Sequence, residues 1–437
     1  MLKVGFHTLG CKVNQYETEA IVELFEQRGY EIVDFDEVAD IYVVNTCTVT
    51  NIADKKSRKM LSKAKSMNQE AIVVAMGCYA QIAQNQLQEN SEIDLIIGST
   101  KKNEVVDQVE NYLREHEKIN TVEDMTHQNE YEDLWVSRNE DKKRAHIKIQ
   151  DGCNQFCSYC IIPYTRGRVR SRDPESIVKE VMTIVGHGYR EIVLTGIHLA
   201  SYGVELHDCR LIDLLKKLNE VEGLKRIRLG SLEPTLVTPV FVEKLSKLSK
   251  ICPHFHLSLQ SGCDETLKRM NRKYTTEDYR QSVKTLRDFY GKPSITTDII
   301  VGFPGETEEE FTQTLQFVRE IAFADLHVFK FSKREGTKAA SMPNVVDEKV
   351  KNERSKILTE ARNTNHHQFL EQFIGETLEV LFEGSLELTD QLFYMGHAAN
   401  YLKIIVEKEA NNLESKMLKV QLQKVFGEFI KGEISAS

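Results

Sequence analysis

Proline and glycine are scarce, 8 and 23 of 437 residues, and only one tryptophan is present. That composition excludes collagen-like and Pro/Gly-rich disordered chains, and nothing is repeated or low in complexity. Long apolar runs are missing as well. Stretches such as "IYVVN" and "EIVLTG" fall far short of the ~20 residues of a membrane span. "MLKVGFHTLG" runs straight into a strand-like pattern without the apolar region of a secretory signal. A cytoplasmic protein with no membrane partner is therefore expected. Positive charge is in the minority, at a net −9, which speaks against bulk attraction to nucleic acid.

What is present suits a globular chain with sizeable cores: 41% hydrophobic and 28% charged residues, over a length that predicts two or three domains. Basic residues gather in "DKKSRKMLSKAK" (54–65), "KKRAHIK" (142–148) and "YTRGRVRSR" (164–172). An acidic chain can in this way still present a basic working face.

Nine cysteines in a reducing compartment point to metal or catalysis rather than disulfides. Cys209, Cys252 and Cys263 have no ligand spacing and read as ordinary thiols. Cys153, Cys157 and Cys160 stand in "DGCNQFCSYC", with three and then two residues between them. A closed structural zinc site uses four ligands in paired spacing. Three thiolates on one tight loop can instead hold three irons of a [4Fe–4S] cluster and leave the fourth open. A zinc site completed by His146 or a distant cysteine is the alternative.

The order of elements predicts an α/β chain. Residues 1–118 alternate strand-like and helix-like segments, the pattern of a parallel sheet. Cys11, Cys47 and Cys78 each follow a strand, at the carboxyl edge where such sheets place ligands, so the three should converge. Residues 119–142, polar and acidic, read as a linker anchored by Trp135. Residues 143–373 hold six strand candidates, "AHIKIQ", "EIVLTG", "RIRLGS", "HFHLSLQS", "SITTDIIVGF" and "DLHVFKF", and predict a partial or complete (β/α)6 barrel with the cysteine loop after its first strand. The tail, 374–437, reads as a small β-barrel.

Further candidates follow from position. Asn14 and Asn45 could donate to cluster sulfurs or equally cap turns. Gly196 ends a strand where a ligand could approach closely. Glu233, Ser258, Gln260 and Asp298 lie at carboxyl ends of barrel strands, positions that favour binding. Gly302 and Gly305 shape a turn that could also be a plain strand exit. Arg166 and Arg168, with the run to Arg172, are candidates for pairing a carboxylate or phosphate. Phe156 and Tyr159 would shield the loop or touch an adenine. "GHAANYLKI" (396–404) could present RNA contacts, by shape and aromatics rather than charge.

"CNQFCSYC" matches the CxxxCxxC signature of radical S-adenosylmethionine (SAM) enzymes. "TLGCKVNQYETEA", "VVNTCTVTNIADKKS", "AMGCYAQ", "LTGIHLASYG", "RLGSLEP", "HLSLQSGCDETLKRMNRKYT" and "DIIVGFPGETEEEF" resemble the methylthiotransferase family, and the tail resembles its TRAM domain. The resemblance implies that the open iron chelates SAM, which one electron cleaves to methionine and a 5′-deoxyadenosyl radical. It implies that Cys11, Cys47 and Cys78 hold a second [4Fe–4S] cluster carrying the sulfur to be inserted, and that the Gly196 segment meets the SAM methionyl group. "GCKVN" is closest to the branch acting on N6-threonylcarbamoyladenosine (t6A) at tRNA position 37; the isopentenyladenosine branch usually has "GCQMN", the ribosomal-protein branch "GCPKN". The implied partners are the tRNA anticodon loop, an electron donor such as flavodoxin or ferredoxin, and a sulfur donor. Open alternatives are the same chemistry on isopentenyladenosine or a ribosomal aspartate, a non-catalytic iron–sulfur carrier, and a zinc-stabilised RNA binder.

Overall fold

The computed structural model describes residues 1–137, 144–408 and 412–435. The first unit is a six-stranded, all-parallel sheet: β1 (Lys3–Thr8), β2 (Glu31–Val33), β3 (Ile41–Thr46), β4 (Ile72–Gly77), β5 (Leu95–Ile97) and β6 (Ile119–Asn120), in the spatial order β2-β1-β3-β4-β5-β6. Every residue of "IYVVNT" in β3 and "IVVAMG" in β4 is buried, because helices cover both faces of a parallel sheet. Helix α1 (Lys12–Gln27) buries Ile21 and Phe25 against the sheet and Tyr16 and Ala20 in a separate cluster. Helix α2 (Asn51–Met67) is capped by Thr50, whose hydroxyl accepts from the Ala53 amide.

The central unit carries β7 (Arg144–Asp151), β8 (Arg170–Ser171), β9 (Glu191–Gly196), β10 (Arg226–Leu229), β11 (Ser231–Leu232), β12 (His254–Leu257), β13 (Ser294–Val301) and β14 (Asp325–Lys330). Strands β10 and β11 are two halves of one strand broken at Gly230, one half in the sheet β10-β9-β7-β8 and the other in β11-β12-β13-β14. A bridge from Ile227 to Ile251 joins the two sheets, so the six expected strands form an open, partial parallel barrel around one core, from Ala145 to Ala361. The α/β class is as expected.

The helix Glu348–Glu371 places Leu358 and Ala361 in that core and Phe369 and Leu370 in the next, which pins the third unit to the second. That unit is a closed barrel of β15 (Thr377–Leu388), β16 (Gln391–Ala398), β17 (Lys403–Glu407), β18 (Met417–Phe426) and β19 (Phe429–Ile434).

The segment expected as a linker is packed instead, up to residue 137; its remainder, 138–142, lies outside the described residues, as do the first two residues of the 142–148 basic run. Leu134 and Val136 are buried with Tyr16 and Ala20, and the Tyr16 hydroxyl donates to the Leu134 carbonyl at 2.5 Å. Trp135 sits under the cations of Arg172 and Lys179, the anchoring its position suggested. Polar composition concealed this strap because only alternate residues turn inward.

Candidate active site

Cys153, Cys157 and Cys160 stand on the loop that leaves β7. Gly152, at φ +70°, lets the chain pass under the neighbouring segment: a Cβ there would lie 1.8 Å from the Arg168 carbonyl oxygen. The Cys153 amide then donates to Gly167 O at 3.0 Å. Ser158 is fixed twice, its amide donating to Met270 O (3.0 Å) and its hydroxyl to Arg269 O (2.8 Å), and Asn271 donates to Phe156 O at 2.9 Å. Behind the loop Tyr159 packs edge-on against Phe303, the phenylalanine of the Gly302–Gly305 turn. That turn therefore supports the loop rather than a ligand.

One guanidinium addresses this trio. Arg272 donates from Nη1 to Cys157 Sγ at 3.1 Å and from Nη2 to both oxygens of Glu233 at 2.9 and 3.0 Å. Glu233 also meets His198 Nε2 at 3.3 Å. Glu233 is thus committed to aiming Arg272, and is not free for a ligand as its strand-end position suggested. Arg272 itself has no local signal in the sequence, lying 115 residues from Cys157.

The other trio is assembled by the sheet. Cys11 caps α1 after β1, Cys47 follows β3, and Cys78 opens the short helix Cys78–Ile82 after β4; the three strands are neighbours. Gly10, at φ +106°, would place a Cβ 3.0 Å from Cys47 Sγ, so the first two turns are in contact. The side-chain amides of Asn14 and Asn45 do not donate to sulfur. Asn14 donates to Leu9 O and Thr46 O, at 2.8 and 3.0 Å, and Asn45 to Asn14 O and the Thr18 hydroxyl, at 3.0 and 3.1 Å; both peg the turns.

The arginine run differs most from expectation. Arg166, Arg170 and Arg172 are buried in internal ion pairs, with no face left for SAM or phosphate; Arg168 alone is exposed, over the Phe156 ring at 4.6 Å. Arg172 pairs with Glu180 and Asp133. Arg166 donates from Nε to Cys78 Sγ at 3.3 Å and pairs with Glu17 (2.9 Å) and Asp151 (3.0 Å). Lys148 bridges the same two carboxylates at 2.7 Å each, and Lys102 reaches Glu17 at 2.9 Å. Burial would raise Glu17, but Arg166, Lys102 and Lys148 hold it well below the usual carboxylate range. The run was legible as charge; that it would turn inward, onto Glu17, 149 residues away, as well as onto the nearer Asp151 and Glu180, was not.

The donors around the sulfurs fit iron–sulfur clusters. The Gln155 amide donates to Cys153 Sγ at 3.4 Å, and the backbone amides of Asn14 and Val13, of Val49 and of Ile162 favour the thiolates of Cys11, Cys47 and Cys160 respectively. Burial pushes Cys47 and Cys153 up to about 11 and Cys160 up to about 12, so bonding to metal is what would keep these groups as thiolates near neutral pH.

A cavity of about 820 Å³ opens between the three units. Cys11 of the first trio and Gly196 at the end of β9 share its wall, with His256, Asp298 and Tyr401. A Cβ on Gly196 would press on Gln150 at 3.1 Å, so its missing side chain serves β7 as well as the cavity. Ser258 and Gln260 do not line it. The Ser258 carbonyl accepts from the Tyr274 hydroxyl, and Gln260 stitches β12 to β13 through backbone bonds to Asp298 and Ile300. In the 396–404 turn, Tyr401 stacks on His254 and His397, with ring centroids 4.7 and 4.6 Å apart, and carries the Arg228 guanidinium; both faces are covered, so the turn docks the barrel rather than offering a free ring to RNA.

Residues 147–318 match the radical SAM superfamily, and residues 3–98 match an uncharacterized protein family, UPF0004. The radical SAM methyltransferase TsrM of Kitasatospora setae has a similar fold (TM-score 0.57, 15% identity, covering 77% of each chain). Fold and cysteine loop thus define a radical SAM enzyme, with SAM and a [4Fe–4S] cluster as its cofactors. Over 99% of this chain and 96% of its own length, the threonylcarbamoyladenosine tRNA methylthiotransferase MtaB of Bacillus subtilis is 42% identical. The relative of the same name from Aquifex aeolicus is 40% identical, over 87% of this chain and 92% of its own. The tRNA-2-methylthio-N(6)-dimethylallyladenosine synthase of Clostridium novyi is 36% identical, over 98% and 95%. The chain belongs to the radical SAM methylthiotransferase family. No helix among the described residues is long and apolar enough to cross a membrane.

Proposed function

We propose that the protein converts t6A at position 37 of tRNA to its 2-methylthio derivative. It would use two [4Fe–4S] clusters, one held by Cys153, Cys157 and Cys160 and one by Cys11, Cys47 and Cys78. The observation that carries this reading is the shared cavity, whose wall joins Cys11 to the strand end at Gly196. A sulfur held at the first trio and a SAM-derived radical made beside the second would then meet the same base. Bound there, reduced cluster and SAM supply the one-electron chemistry that an inert adenine C2–H bond requires. The chain contributes ligation, orientation and exclusion of water. Arg272, aimed by Glu233, favours charge at the central cluster; Arg166 does the same at the other. Residues 1–118, 143–373 and 374–437 act as the cluster-binding, radical SAM and TRAM-like RNA-binding units. Exposed Lys55, Lys56 and Lys59 on α2, which begins four residues after Cys47, would take tRNA phosphates. An electron donor such as flavodoxin or ferredoxin and a separate sulfur donor complete the reaction.

Mass spectrometry of nucleosides from total tRNA of a strain lacking the protein tests this. Loss of methylthio-t6A with t6A retained is the expected result. Loss of methylthio-isopentenyladenosine instead would move the substrate to the other tRNA branch, and no change in tRNA would point to a protein substrate.

A further inference from the structure

We propose that Lys12 selects the substrate, its ammonium group pairing with the carboxylate of the threonylcarbamoyl side chain on adenosine 37. The inference rests on the t6A reading above and deepens it. The cavity wall carries several charges, and nearly all are already matched. Arg228 is held by Glu191 at 2.9 Å, Arg362 by Asp325 at 2.6 Å and Lys403 by Glu428 at 2.5 Å; Asp298 faces His256 at 3.4 Å. Lys12 lines the same cavity, and no carboxylate among the described residues stands within ion-pair reach of it. Its charged neighbours Arg144 and Arg228 are cations that already have partners, Glu383 at 3.0 Å and Glu191 at 2.9 Å, so Lys12 is the cation left over in this corner of the wall. Beside it His254, 8% exposed, keeps a buried Nδ1 without a hydrogen-bond partner. A surplus cation next to an unused polar ring nitrogen is what a bound anion would satisfy.

Position supports the same assignment. Lys12 is the first residue of α1, directly after Cys11, so its side chain borders the point from which sulfur would be delivered. Of the two tRNA modifications in question, the threonylcarbamoyl group ends in a carboxylate, whereas the isopentenyl group is a neutral hydrocarbon. An unmatched lysine attracts the first and must be desolvated for nothing by the second, which makes it a discriminating device.

The test is the binding of anticodon stem-loop RNAs to the cluster-loaded protein, as the ratio of Kd for A37 to Kd for t6A37. Wild type should favour t6A37, and Lys12→Met should reduce that preference roughly ten- to a hundredfold, the range for a hydrogen-bonded charge. Lys12→Arg should keep most of it. The ratio is internal to each variant, so a general loss of RNA affinity does not imitate the effect. A stem-loop whose threonyl carboxylate is blocked as the methyl ester should lose the same preference with wild-type protein, a readout that needs no variant to fold. Preference retained by Lys12→Met, or by the ester, overturns the role of Lys12 and leaves the proposed reaction standing. Wild-type protein that favours an isopentenyl stem-loop over t6A37 overturns the proposed reaction itself.

Discussion

The two cysteine trios reach comparable surroundings by opposite routes. The central one lies on eight consecutive residues, and its geometry is set by the loop: Gly152 for the turn, Ser158 and Asn271 for the pins. The other is gathered from turns about 30 residues apart and exists only because β1, β3 and β4 lie side by side. Each has a guanidinium on one sulfur, but their support differs. Arg272 is held by the single carboxylate of Glu233. Arg166 belongs to a buried network in which Glu17 comes from α1 and Lys148 and Asp151 from β7, two residues before Cys153. A site made locally can stand by itself, whereas one made by tertiary structure has to be tied to its neighbour.

The sharpest way to break the comparison is to remove one cysteine from each trio. Cys157→Ala should abolish reductive cleavage of SAM to deoxyadenosine, and Cys47→Ala should spare cleavage while stopping methylthio insertion. Loss of both activities in both variants would end the assignment of separate roles. Gly152→Ala comes next. With its Cβ 1.8 Å from a carbonyl oxygen the loop cannot close, and iron should fall from about eight to about four per chain, as one of two clusters is lost. Gly10→Ala, whose Cβ would meet Cys47 Sγ at 3.0 Å, should cost the other cluster less completely.

The network itself gives a stability prediction. Arg166→Met leaves Glu17 and Asp151 short of a partner inside the interface, and breaking a buried pair from one side costs about 3–5 kcal/mol. The urea midpoint of the apo-protein should fall accordingly. Arg272→Met, which leaves Glu233 still facing His198 at 3.3 Å, should cost less. Equal losses would mean that the two arginines are equivalent supports after all. For Glu17 the sign with pH follows from its depressed pKa: its contribution is present above the ordinary carboxylate range and is lost only as pH falls well below it.

What could be read in the sequence follows the same division. The eight-residue loop was legible because its ligands are local, and the convergence of Cys11, Cys47 and Cys78 was legible because parallel sheets put their turns on one edge. The parallel sheet and the partial barrel followed from the alternation of elements; the order of the strands within the sheet did not. Arg272, Lys148 and the inward turn of Arg166 were not legible, because nothing nearby in sequence marks a partner over a hundred residues away. The strap at 131–137 was missed for a related reason: two apolar residues, Leu134 and Val136, hold it, and composition averages them out.

The smallest expected effect concerns what the two sides offer RNA. Beside the local trio the arginine run exposes Arg168, already engaged with the Phe156 ring. Beside the assembled trio α2 offers Lys55, Lys56 and Lys59, exposed and without a carboxylate partner among the described residues. Each phosphate contact adds about 0.7–0.9 to the slope of log affinity against log salt. Lys55→Gln with Lys59→Gln should therefore lower that slope by about 1.5 for the tRNA stem-loop. Arg168→Gln should lower it by less than one contact, since its ring stacking draws the guanidinium from the phosphates. The reverse order would place the tRNA backbone along the central loop, and the assembled trio would then present sulfur from the side away from the RNA.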